Sequence, residues 1–326
     1  MRHAAVSEGA EHHPAQDAAP AEPPLWSRIY RHRLLDGDRW KSYTPRDDDI
    51  VVCSAYKAGT TWLQSICALL VFQSTEFPAP LSALSPWLDV PRVPIDEVMA
   101  RLDAQAHRRI VKTHLPLDGL PYHEGLTYLF IGRDPRDVFV SLTNHIANVR
   151  SEIRLPDGRP PWPRDEIPVD LRAFFRKWLT TPGVPGEQDG WPAWSALSLA
   201  ETYWRHRGCP NIHLFHYADL KADLDGQMRR LSAILGIPVD EARWPGLVHA
   251  ARFDSMKRNA LQFGPSGPST IWLDPAAFFA RGENGQWRGL LGEEELALYR
   301  EVMTERLAPD LADWLENGSR GSGRGE

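Results

Sequence analysis

Residues 50–70 read IVVCSAYKAGTTWLQSICALL. The short apolar run from Ile50 to Ala55 ends in a turn, Tyr56-Lys57-Ala58-Gly59, and reads as a buried strand. Beyond it Trp62, Leu63, Ile66, Cys67 and Leu70 recur at helical spacing. A strand that turns straight into a helix is suited to phosphate, because the first helical N–H groups are unpaired and lie at the positive end of the dipole. Gly59 lets the backbone approach an anion closely. Lys57 adds charge, and Thr60 and Thr61 add hydroxyl donors. The stretch is related to the phosphate-loop pattern G-x-x-x-x-G-K-[ST], with differences. With Gly59 and Thr61 aligned to it, Ser54 replaces the first Gly and Thr60 replaces the Lys, while a lysine stands upstream at Lys57. Nucleotide triphosphatases grip the β- and γ-phosphates with the lysine that is missing here. Triphosphate hydrolysis is therefore disfavoured. By spacing alone, the segment also fits a plain strand-to-helix turn with Thr caps.

The same alternation continues outward. Arg109–Thr113, Leu126–Gly132 and Asn211–Tyr217 are further short strands, each separated from the next by helical patterns. After the third, Asp134 is placed to cap a helix with Pro135 at its first position and Asp137 completing a capping-box-like pattern. That helix carries Val138, Phe139, Leu142, Ile146 and Val149 on one side. The helix after the fourth strand carries Met228, Leu231, Ile234 and Leu235. Strands joined through helices pair in parallel with right-handed crossovers. The expected fold is α/β: a P-loop-like three-layer domain with a central, mostly parallel sheet flanked by helices. Ligands in such sheets lie beyond the carboxyl ends of the strands. Residues 25–317 are expected to form one domain, between a disordered leader (1–24) rich in Ala, Pro and acidic residues and a flexible Gly/Ser/Arg tail (318–326). The stretches 155–190 and 260–285 are rich in Gly, Pro and Trp and read as surface loops able to cover a site.

Other segments carry chemistry at the strand ends. Lys112-Thr-His114-Leu-Pro116 closes the second strand. His114 can accept a proton near neutral pH, and Lys112 can stabilise a developing anion. Taken alone, such a His is more often a core or capping residue than a catalytic one, and the other eleven histidines have weaker cases. Arg133 ends the third strand and Ser141 lies about two turns into the following helix, a pair able to hold a phosphate. The competing reading is an Arg–Asp network around Asp134, Arg136 and Asp137. Two later segments, Phe253-Asp-Ser-Met256-Lys257-Arg-Asn259 and Phe278-Phe-Ala280-Arg281-Gly282-Glu-Asn-Gly285-Gln-Trp287-Arg288, combine aromatics, arginines and glycines. By composition either could be a packed turn.

The chain has 326 residues, 42 % of them hydrophobic, enough for a sizeable core. Its 37 basic and 43 acidic residues give a net charge of −6, which argues against a general nucleic-acid binder. Three scattered cysteines make neither a disulfide framework nor a zinc site and fit a reducing compartment. The longest apolar run, Ile66 to Phe72, is far short of a membrane span, and the N-terminus has no apolar signal region. The expectation is a cytoplasmic enzyme without nucleic-acid or membrane partners.

The five segments occur in one order and together resemble the cytosolic-type sulfotransferases, over roughly residues 25 to 316. The resemblance implies transfer of a sulfuryl group from 3′-phosphoadenosine 5′-phosphosulfate (PAPS) to a hydroxyl or amine, with PAP as product and no metal required. Lys57, Ala58, Gly59, Thr60, Thr61 and Trp62 match the family's Y-P-K-S-G-T-T-W loop, without its Pro and with Ala58 for Ser. His114 falls on the catalytic histidine of K-T-H-L-P, with Lys57 and Lys112 as catalytic companions. Arg133 and Ser141 match the pair that holds the 3′-phosphate. Tyr217 matches the tyrosine near the adenine, Phe253 and Met256 match F-x-x-M-K-x-N, and Arg281 and Gly282 match the late R-K-G-x-x-G segment. Ala251 stands where a Thr is usual and Ala280 where an Arg is usual; Arg252 and Arg258 are candidates to compensate. The family's dimer motif is not recognisable, so the oligomeric state stays open. The implied acceptor is a small phenol, alcohol or amine. Trp87, Trp162, Phe174, Phe175, Trp191 and Trp194 are candidates to line its pocket, although core packing is the ordinary use of most such residues. The competing functions are a nucleotide kinase or NTPase and an inactive nucleotide-binding relative.

Overall fold

The computed structural model describes residues 22–264, 271–274, 276–279 and 281–319. Near the N-terminus a small hairpin pairs β1 (Arg31–His32) with β2 (Leu35–Asp36). The central sheet holds β3 (Ile50–Ser54), β4 (Ile110–Thr113), β5 (Thr127–Gly132) and β6 (Ile212–His216), in the order β4-β3-β5-β6, all parallel. Side chains alternate across a strand. Ile50 and Val52 therefore join Ile110, Leu129, Ile131 and Phe215 on one face, under the helices Thr60–Phe72, Leu224–Leu235 and Trp244–Ala251. Val51 and Cys53 join Val111, Tyr128 and Phe130 on the other face, under Pro135–Asn148, Leu171–Thr180 and Ala196–Arg205. Helices on both faces explain why β3 is apolar at nearly every position: a sheet covered twice has no solvent side. The expected three-layer α/β domain is what forms.

Register sets the position of the site. Cys53 pairs with Thr113, Ser54 with Ile131 and Gly132 with His216. The four strands thus end side by side, and the residues just beyond them, Ala55–Gly59, His114, Arg133 and Tyr217, emerge along one edge. Gly132 is also needed for packing. A Cβ there would lie 2.5 Å from the Trp314 ring, which is buried beneath the C-terminal helix Pro309–Asn317. Gly132→Ala is expected to destabilise the fold by about 1–3 kcal/mol through overpacking. The check is the urea midpoint; an unshifted midpoint refutes the tight approach.

Several expectations change at the edges. The stretch 155–190 is not all loop. Asp170 caps a helix, Leu171–Thr180, by accepting from the Ala173 N–H, and that helix buries Phe174, Phe175, Trp178 and Leu179. Their i, i+1, i+4, i+5 spacing is an amphipathic signal that the flanking Gly and Pro residues obscure. In 260–285, Ala260–Phe263 forms a short helix, and 265–270, 275 and 280 lie outside the described residues. Tyr217 begins a helix, Tyr217–Ala222, instead of ending a strand. Of the expected leader, 1–21 lie outside the described residues, while Pro24 is buried. Of the tail, 320–326 lie outside them; Ser319 donates its N–H and hydroxyl to Asp219.

Candidate active site

A cavity of about 310 Å³ opens at the carboxyl edge of the sheet. Its backbone floor is the turn after β3. Lys57 adopts φ 72° and Gly59 φ 123°. At Gly59 a Cβ would come within 3.0 Å of both Ile131 and Tyr217, so this bend requires glycine in conformation and in space. Helix Thr60–Phe72 starts immediately after it. The N–H groups of Thr60 and Thr61 have no carbonyl one turn back inside the helix, so this end is open to an anion. The Thr60 hydroxyl is already engaged with the Ser54 hydroxyl. That bond shapes the turn and leaves Thr60 mainly its backbone N–H for a ligand.

Most of the residues singled out from the sequence converge here. Lys57, Gly59, Thr60, Thr61 and Trp62 line the cavity from the turn and its helix. Lys112, His114, Arg133 and Ser141 line it from the neighbouring strand ends and helix. Tyr217, Phe253, Met256 and Gly282 complete that set. Two of the expected residues lie elsewhere. Ala58 is buried beneath the turn and donates its N–H to the Ala55 carbonyl. Arg281 is exposed and is not part of the lining. Ala280 lies outside the described residues, and Ala251 uses its carbonyl to accept from the Trp62 indole N–H at 2.8 Å. Neither Arg252 nor Arg258 lines the cavity; Arg258 is paired with Asp254.

The electrostatics favour an anionic guest. Lys57 Nζ lies 3.8 Å from the centre of the Phe278 ring, and Lys112 Nζ 4.7 Å from that of Trp87. Burial first, then Lys112 and Arg133, pushes Lys57 down to about 7. Burial, opposed by Asp89 and reinforced by Arg92, pushes Lys112 down to about 8. Among the described residues neither lysine has an ion pair, and cations this confined regain their ordinary affinity for a proton when negative charge arrives. Within the Arg133 segment, the Arg–Asp pair that forms joins Arg136 to Asp134. Asp134 is taken by Arg136 through two bonds of 2.9 Å. Asp137 accepts the Gly285 and Gln286 N–H groups instead of completing a capping box. Arg133 itself forms no ion pair among the described residues. It bonds the carbonyls of Glu283 (2.7 Å) and Lys57 (3.4 Å), lies 4.1 Å from the centre of the Tyr217 ring, and keeps a buried Nε without a partner among the described residues. Lys221 holds the Gly282 carbonyl. Arg133, Asp137 and Lys221 together fasten residues 282–286 across the cavity.

His114 is held in one tautomer. Its Nδ1 lies 2.7 Å from the Ser54 carbonyl oxygen, which only accepts, so Nδ1 carries the proton. Nε2 is then a lone pair, buried and without a partner among the described residues. Burial, with Lys112 and Lys57 adding to it, holds the imidazole well below the usual histidine range, hence neutral at pH 7. The His114 backbone N–H donates to Asp89, a fully buried carboxylate that also accepts from the Trp87 and Trp40 indoles. Asp89 escaped the sequence reading because its partners come from three separate segments.

Of the aromatic candidates, Trp87 and Trp162 line the cavity. Phe174 and Phe175 pack on Phe139 in the core, and Trp191 covers Lys177. Trp194 is buried behind Tyr56 and His114. His145 and Trp272 line the cavity without having been singled out from the sequence; Tyr56, from the quoted turn, and Phe278, from the late aromatic segment, line it as well. None of the described helices is long and apolar enough to cross a membrane.

This architecture is a phosphate-loop α/β enzyme site with lysines and a histidine at the strand ends. Residues 47–310 match the family model described as the sulfotransferase domain. A glycolipid sulfotransferase of Mycobacterium bovis is 37 % identical over 92 % of this chain and 98 % of its own length. Human sulfotransferase 1C2 is 24 % identical over 82 % of each chain. Among solved structures, a mouse sulfotransferase complexed with PAP superposes with a TM-score of 0.65 at 20 % identity, over 86 % of this chain and 92 % of that one. The chain belongs to the sulfotransferase family. The kinase and NTPase readings left open by the loop sequence are set aside.

Proposed function

We propose that the protein transfers a sulfuryl group from PAPS to a hydroxyl of a glycolipid, with His114 as general base. The observation that carries this reading is the His114 tautomer: a neutral imidazole with Nδ1 tied to Ser54 and, among the described residues, an unpartnered Nε2, in a cavity shared with two lysines that have no ion pair there. PAPS, when bound, supplies the activated sulfuryl group and leaves as PAP. The buried, unpartnered Arg133 Nε, the open helix start at 60–61 and the depressed lysines all fit a polyanionic donor. Thr60 and Thr61 would hold its 5′-phosphate, and Arg133 and Ser141 its 3′-phosphate. Trp62, Tyr217, Phe253 and Met256 would enclose the base. His114 Nε2 accepts the proton of the acceptor hydroxyl. Lys57 and Lys112 set positive charge where negative charge develops during transfer. A glycolipid acceptor is supported by the name of the M. bovis relative and by a lining that mixes tryptophans with Val93 and Ile271. We take 25–317 as a single domain, and three buried cysteines outside any disulfide support a cytoplasmic setting.

The test is transfer of radiolabelled sulfate from PAPS to a panel of glycolipids, phenols, alcohols and amines, with PAP binding measured on the same samples. Labelled glycolipid is the expected product. Neither binding nor product refutes the reading. Two further results are expected. Arg133→Met weakens PAP binding about 10- to 100-fold, as the loss of charge-assisted hydrogen bonds does. Its effect on turnover at saturating PAPS is smaller; unchanged affinity counts against the phosphate role. PAP binding also takes up protons near pH 7–8, because bound anion raises Lys57 from about 7 and Lys112 from about 8. Affinity therefore falls as pH rises above 7. Calorimetry in two buffers of different ionisation enthalpy measures the uptake, and zero uptake separates these lysines from the bound anion.

A further inference from the structure

His145 lies on the helix Pro135–Asn148, four residues after Ser141 and so on the same helical face. It lines the cavity and is 6 % exposed. Its Nε2 is 3.0 Å from the Tyr56 hydroxyl, while its Nδ1 is buried without a partner among the described residues. Around it stand the rings of Tyr56, Trp162, Trp272 and Phe278. Burial, then Lys57, Lys112, Arg92 and His114, keeps the ring neutral.

The two histidines of the cavity are arranged alike. His114 has Nδ1 engaged and Nε2 open; His145 has Nε2 engaged and Nδ1 open. Their ring centres lie 5.2 and 5.1 Å from that of the same Tyr56. A buried polar atom without a partner is costly, so one on a side chain that lines a ligand cavity expects a ligand group. The Tyr56 hydroxyl both donates and accepts, so Nδ1 is either donor or acceptor. A hydroxyl complements both states, whereas an ammonium only donates and a carbonyl only accepts.

We propose that His145 Nδ1 binds a second hydroxyl of the acceptor, so that the site selects polyols of the sugar type, presenting one hydroxyl to His114 and another to His145. This rests on the transfer reading above and names the side chain that selects the sugar part of its acceptor. The faces of Trp87 and Trp162 suit the C–H faces of a sugar ring, and a simple alcohol or phenol leaves Nδ1 unsatisfied.

The experiment compares octyl glucoside and octyl galactoside with octanol as acceptors of labelled sulfate. It uses wild type, His145→Phe and Tyr56→Phe, with PAP affinity as the control for folding. Wild type is expected to favour at least one glycoside over octanol by at least about 100-fold in kcat/KM, since sites built to bond a hydroxyl discriminate by up to about 10⁴–10⁵-fold. In His145→Phe that ratio collapses to within about threefold, and Tyr56→Phe, which frees the imidazole, lowers it partway. Wild type that labels octanol as well as the glycosides overturns the inference and leaves sulfuryl transfer standing. So does a His145→Phe protein that keeps the full preference. Wild type that binds PAP and labels none of the three also overturns it, since a polyol was offered. Failure to bind PAP as well as to label any acceptor removes the transfer reading and this one with it.

Discussion

His114→Ala is expected to lower turnover by about 10²–10⁴-fold while PAP affinity changes little. The substitution removes the Nε2 lone pair and nothing that faces a phosphate. It also frees the Ser54 carbonyl, which is buried with the turn, so PAP affinity serves as the control that the turn is intact. His114→Gln separates orientation from basicity: its amide can still bond the carbonyl but cannot take a proton at pH 7. Both variants should be similarly slow. A His114→Ala protein with wild-type turnover would falsify the assignment of the base. Because the ring is already neutral at pH 7, wild-type activity should also lack an acid limb near the ordinary histidine pKa.

The second large effect is expected at Lys57. Lys57→Met keeps much of the chain volume and its contact with Phe278, and removes the charge. Loss of a preorganised charge-stabilising donor costs on the order of 10²–10³-fold in turnover. The loss should appear in kcat more than in KM for PAPS, because Arg133, Ser141 and the helix start remain to bind the nucleotide. The substitution also removes the group that takes up a proton from about 7 and leaves Lys112, which does so from about 8. The proton uptake on PAP binding should therefore shift toward higher pH in Lys57→Met. Rates within threefold of wild type would place Lys57 outside the reaction.

How far the site could be read in advance depended on whether its parts are local in the chain. The turn Tyr56–Gly59, the strand-end His114 and the pair Arg133 and Ser141 each announce themselves in a few residues, because strand, bend and helix start follow one another. Ala58 and Arg281 belong to the same kinds of segment, yet one is buried under the turn and the other exposed. A motif names residues and leaves their direction to the backbone. Asp89 and His145 carried no local sign. Asp89 matters because two indoles and one backbone N–H meet it. His145 matters because its helix crosses the sheet with that turn facing the cavity. The helix Leu171–Thr180 was legible, through Asp170 and the spacing of its aromatics, and was hidden by the Gly and Pro around it.

By itself, the sequence determined the alternation of strands and helices, the strand-to-helix turn with its Gly59, and the order of segments that marks a sulfotransferase. These depend on near neighbours: apolar periodicity, caps and one left-handed bend. The tertiary structure decided which side chains share the cavity, because parallel register aligns four strand ends that are far apart in the chain. It also decided the tautomer of His114 and the freedom of Arg133 from its neighbouring carboxylates. Both depend on contacts made by distant segments, Ser54 with His114 and residues 283–286 with Arg133 and Asp137. A proton's position and a guanidinium's partners are set by what packs against them, and local spacing carries no record of that.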